Sequence, residues 1–137
     1  MPERLRRIRS RRLVPALILV AVPLSVGACT DDAPAVKLSA EGTKGKAIAA
    51  RLSCANCHSA NGDELTGPSW KGLYGARITL TGGKKITVDD AYLRRSVREP
   101  NAQRRSDATG QMPTFDEDRL TDAELAEVIA YIKDLSA

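Results

Sequence analysis

The sequence predicts an all-α domain of three main helices with a small β-hairpin, occupying residues 39–137 of a 137-residue chain. Three observations support this. Apolar residues recur at helical spacing in separate stretches. Two helical stretches are preceded by a threonine with an acidic residue three positions on, a pattern that caps helix starts. Alternation of the β type is confined to a short run around Thr81-Gly82-Gly83-Lys84. The length allows one domain.

Residues 1–28 read as an export signal rather than as fold. Arg4, Arg6, Arg7, Arg9, Arg11 and Arg12 form a basic head, and Leu13 to Val26 is mostly apolar. That stretch is too short, and too interrupted by Pro15 and Pro23, for a stable membrane-spanning helix. Val26-Gly27-Ala28-Cys29 resembles a lipobox, which makes Cys29 the expected lipidated N-terminus. An ordinary signal followed by an incidental cysteine is the plainer alternative. Residues 29–38, with Asp31, Asp32, Pro34 and Lys37 and no apolar period, read as a flexible tether. Ser10-Arg11-Arg12 resembles part of a twin-arginine signal, but the general secretory route suits a cofactor joined to an unfolded chain after export.

Removing the signal takes six of the 21 basic residues and one of the 17 acidic ones, leaving 15 against 16, a net of −1. The basic balance of the whole chain therefore belongs to the targeting segment and gives no support for nucleic-acid binding.

The first helix is expected over about residues 40–53, where Ala47, Ile48, Arg51 and Leu52 fall at helical spacing. After a Gly/Pro-rich stretch, Arg77 to Leu80 and Lys85 to Val88 suggest the hairpin. The second helix is expected after Thr87, capped with Asp90, and runs to about Arg98 before Pro100 stops it. In the third, Thr121 and Glu124 form a capping box, and Leu125, Val128, Ile129, Ile132 and Leu135 line one face. The chain has only five aromatic residues: Trp70, Tyr74, Tyr92, Phe115 and Tyr131. A core this thin calls for a staple, a metal or a large apolar group within it.

Cys54-Ala55-Asn56-Cys57-His58 supplies that group, because C-x-x-C-H is the haem c attachment pattern. Both thiols must add to the vinyl groups of one porphyrin, and the adjacent histidine must then reach the iron. A structural zinc site usually needs four Cys or His ligands, and apart from Cys29 the chain has two cysteines and one histidine. A thioredoxin-like pair would start a helix after a strand, whereas these cysteines end a predicted helix. A simple disulfide is the bland alternative. The second ring nitrogen of His58 needs an acceptor, and the carbonyl of Pro68 is the candidate. Methionine occurs only at Met1 and at Met112, which lies 54 residues beyond His58 in Gly110-Gln111-Met112-Pro113. Methionine more often fills cores, but a loop beside Gly and Pro without apolar period favours a second axial ligand.

From about Gly42 to Ser136 the chain resembles a class I mono-haem cytochrome c, and is especially similar to the cytochrome c domain fused to subunit II of some bacterial cytochrome c oxidases. The matching stretches are Cys54 to His58, Gly67 to Gly75, Ala91 to Ser96, Pro100 to Ala102, Met112-Pro113 and Leu120 to Leu135. No copper-binding domain precedes the motif, which argues for a separate carrier rather than a built-in oxidase domain. The resemblance implies that the first and last helices cross near Gly45 and Tyr131. It also implies that Trp70, Tyr74 and Arg77 lie near the haem propionates. One haem c, held by Cys54 and Cys57 with His58 and Met112 on the iron, leaves no coordination position open for oxygen. The expected work is therefore one-electron transfer in a bacterial respiratory chain, not catalysis.

The expected partners are a cytochrome c oxidase or a quinol-oxidising complex, together with the membrane through the lipid; nucleic acid and small-molecule substrates are not expected. The expected location is the outer side of a bacterial membrane, with the domain facing the periplasm or cell exterior. Two rivals stand beside this: a fixed haem subunit of a membrane respiratory complex, and a sensor or enzyme in which Met112 dissociates. Charge is uneven along the domain. Residues 71–105 hold nine basic residues against Asp89, Asp90 and Glu99, and 106–137 hold eight acidic ones against Arg119 and Lys133. That distribution is either ordinary solvated surface or a dipole that steers docking.

Overall fold

The computed structural model describes residues 36–137. The expected signal, the lipidation at Cys29 and most of the tether lie outside the described residues. Among those described, the order is α1 (Ala40–Arg51), β1 (Arg77–Thr79), β2 (Lys85–Thr87), α2 (Asp90–Arg98) and α3 (Asp122–Asp134), with a single 3₁₀ turn at Cys54–Asn56. No helix among the described residues is long and apolar enough to cross a membrane.

The N-cap of α1 is Ser39, whose hydroxyl accepts from the Gly42 amide and donates to the Asp134 carboxylate at 2.7 Å. This joins the start of α1 to the end of α3. Between those ends, Gly45 is buried where the helices cross. A Cβ there would collide with the Glu127 carbonyl oxygen, so only glycine permits the approach. The crossing falls one turn before Tyr131. Arg51 and Glu124 pair across the same interface at 2.5 Å.

The Thr121–Glu124 capping box on α3 is fully formed, and Leu125, Val128, Ile129, Ile132 and Leu135 are all buried. The hairpin is antiparallel, with Arg77 opposite Thr87 and Ile78 opposite Ile86, and Gly82 and Gly83 adopt positive φ in its turn. The start of α2 differs from expectation. Thr87 is the last residue of β2, and the cap is Asp89, whose carboxylate accepts from the Tyr92 amide at 2.8 Å. Strand pairing claims Thr87, and the carboxylate two residues on reaches the free amide instead.

At its C-terminal end α2 packs on α3 and on the segment after Met112. Arg98 donates to the Phe115 carbonyl at 2.8 Å and pairs with Glu117 and Asp122. At its start, Asp90 is held by Lys133 of α3 and by the Tyr74 hydroxyl. The hydrogen bonds from Lys133 and Tyr74 keep the Asp90 carboxyl below its usual range.

Candidate haem-binding site

The chain leaves α1 through Ser53, a non-glycine residue in the left-handed region at φ 59°, a conformation that usually falls to glycine just past a helix end. Past this turn, Cys54, Cys57 and His58 line a cavity of about 360 Å³. The two cysteines form no disulfide with each other; Cys54 is half-buried and Cys57 exposed. Burial pushes the Cys54 thiol up, and the neighbouring Cys57 adds to the shift.

The Nδ1 atom of His58 lies 2.8 Å from the Pro68 carbonyl oxygen. A carbonyl can only accept, so Nδ1 carries the proton and the Nε2 lone pair is left for a metal. Burial lowers the pKa of the imidazole, opposed in part by this bond, which favours the neutral ring that a metal requires. The ring stacks on Trp70 with centroids 5.2 Å apart, and Tyr131 meets Trp70 edge-on. Gly67 backs the imidazole, and a Cβ there would lie 2.6 Å from His58 Cε1. The Gly67 amide also donates to the Cys57 carbonyl at 2.8 Å, closing the loop onto the motif.

Met112 lines the same cavity as His58 and packs half-buried against the core. The remaining wall is mostly apolar, with Leu93, Val97, Phe115, Leu125 and Val128 among its residues. A family model described as cytochrome c matches residues 42–136.

The chain belongs to the cytochrome c family.

A search of curated proteins finds no match. Family membership makes this an electron-transfer haem protein that carries covalently attached haem c, and Cys54, Cys57 and His58 fit the attachment motif. The residues of this cytochrome c suit that group. The cavity combines two thiols, one imidazole with a committed Nδ1 and one thioether within an apolar wall. Ser96 also lines it, on the face of α2 that carries Tyr92.

Of the three residues expected near the propionates, Trp70 lines the cavity and the other two do not. The Tyr74 hydroxyl donates to Asp90 at 2.7 Å, and its ring lies beneath Lys133. Arg77 lines a separate, more polar cavity with Lys71 and Arg105. The strand pairing of β1 turns Arg77 to the exposed side of the hairpin. The basic residues that do line the haem cavity are Arg104, Arg105 and Arg119. Sequence reasoning missed these arginines and Ser96. The spacing of Tyr92 and Ser96, four apart on α2 and both on the cavity wall, was the available signal for the serine.

Proposed function

We propose that this cytochrome c is a one-electron carrier of a bacterial respiratory chain, with haem attached through Cys54 and Cys57 and its iron held between His58 and Met112. Haem c supplies the Fe(III)/Fe(II) couple. The chain's own residues hold and tune it. Pro68 fixes the tautomer and orientation of His58, Trp70 supports the ring from one face, and the apolar wall excludes water, which keeps the charge change costly to the surroundings and the potential under protein control. A histidine and a thioether together favour the reduced metal and raise the potential.

The observation that carries this reading is the lining of one apolar cavity by His58 and by Met112. Two protein ligands leave no coordination position for oxygen or peroxide, which favours electron transfer over catalysis. The lipobox-like Val26 to Cys29 supports a lipid tether that keeps the domain at the outer side of a membrane. The similarity of Gly67 to Gly75 and of Ala91 to Ser96 to oxidase-fused domains supports delivery of electrons to a terminal oxidase.

The test is a potentiometric titration of the haem-loaded protein, followed by exposure of the reduced form to carbon monoxide at neutral pH. A reversible one-electron transition with no spectral response to carbon monoxide is expected. Carbon monoxide binding at neutral pH would mean a dissociable sixth ligand and a sensor or enzyme instead.

A further inference from the structure

The segment that carries Met112 is a long loop, residues 99–121, with no helix or strand of its own. Something must fix where its thioether points. Beyond Met112 the loop is held by α2, through the Phe115 amide on the Val97 carbonyl and Arg98 on the Phe115 carbonyl. Before Met112 the shortest side-chain contacts to the loop backbone come from Arg104. The Nη2 of Arg104 donates to the Ala108 carbonyl at 2.9 Å and to the Gly110 carbonyl at 2.7 Å. Gly110 is two residues from Met112 and lies against Thr66, where a Cβ would collide with the threonine methyl. The Thr109 hydroxyl reaches the Thr66 carbonyl at 3.3 Å.

Arg104 is itself anchored. Its carbonyl accepts from the Thr81 amide at 2.8 Å in the hairpin turn, and Leu80 bridges Arg105. The Ser106 amide donates to the Thr79 carbonyl at 3.0 Å. Among the described residues no carboxylate pairs with the Arg104 guanidinium, whereas its neighbour Arg105 pairs with Asp107. The hydrogen bonds that Arg104 gives to the Ala108 and Gly110 carbonyls are charge-assisted, and such a bond is about twice as strong as a neutral one.

We propose that Arg104 is a positioning residue for Met112: pinned to the β-hairpin by its backbone, it gathers the Ala108 and Gly110 carbonyls and so sets the path of the chain into the sixth ligand. The hairpin thereby acts at a distance on the metal site. This rests on the reading of Met112 as an axial ligand.

The test uses the haem-loaded protein and imidazole, which competes with methionine for the sixth position. Loss of a charge-assisted hydrogen bond in Arg104→Gln should raise imidazole affinity about tenfold. The same variant should lose the far-red band of methionine-to-ferric-iron ligation at lower pH, with unchanged far-ultraviolet circular dichroism. Arg104→Lys, which keeps a cationic donor, should recover part of the difference, and it takes over the test if the glutamine variant fails to take up haem. Lys84→Gln, a charge removed from the exposed hairpin turn, should leave imidazole affinity within twofold. A wild-type band together with unaltered affinity in both Arg104 variants overturns the proposal alone. An equal rise in Lys84→Gln also overturns it, in favour of a general field effect. A wild-type spectrum without the band overturns the Met112 reading and this proposal with it.

Discussion

To hold a metal, His58 would have to be neutral, correctly oriented and open at Nε2, and three different neighbours favour these conditions. Burial opposes protonation, the Pro68 carbonyl takes the Nδ1 proton at 2.8 Å, and Trp70 stacks on the ring. Gly67 gives the ring room, since a Cβ at that position would sit 2.6 Å from Cε1 and 3.0 Å from the Cys57 carbonyl oxygen. Gly67→Ala should therefore destabilise the haem-loaded protein by about 1–3 kcal/mol, the usual cost of overfilling a packed site. Guanidinium denaturation checks this, and an unchanged midpoint would show that the loop yields without cost. The Pro68 contact was legible in the sequence because a lone histidine after C-x-x-C needs a partner for its second nitrogen, and the following Gly-Pro offers one. Arg104 was not legible. A guanidinium that gathers backbone carbonyls leaves no period or spacing to read, and only the fold brings Ala108 and Gly110 to it.

At the scale of elements, α3 was the most readable part of the chain, because its capping box and its five apolar positions agree with each other. The first helix and the hairpin were found within a residue or two. The start of α2 was misplaced because Thr87, Asp89 and Asp90 offer competing oxygens in four residues, and only the pairing of Thr87 in β2 decides between them. That decision is measurable. Asp89→Ala should cost about 1 kcal/mol, as loss of a helix N-cap does. Thr87→Ala, on the exposed side of a short strand, should stay within about 0.5 kcal/mol. Equal losses in the two variants would restore Thr87 as the cap. That Tyr74 and Arg77 lie off the wall of the cavity was not legible for a related reason. Their environment is set by Asp90, Lys133 and the hairpin register, which are contacts between elements far apart in sequence.

For the whole molecule, the deciding feature is a shortage: a small domain with five aromatic residues needs something large in its interior. The structure puts the C-x-x-C-H motif and Met112, the one methionine besides Met1, around a single apolar cavity, and the family match over residues 42–136 agrees with it. Charge was less informative. Its uneven distribution along the chain is plain in the sequence, but much of it is spent on internal pairs such as Arg98 with Asp122 and Arg51 with Glu124. Exposed pairs of this kind contribute little stability each. The measurement that bears most directly on the central claim is the visible absorption spectrum of the protein matured with haem c attachment machinery, in ferric and ferrous forms. Sharp ferrous c-type bands, a weak far-red ferric band, and the loss of that band in Met112→Ala are the expected result. Covalent haem without the far-red band would contradict His58–Met112 ligation, and no covalent haem would reduce Cys54 and Cys57 to a simple disulfide.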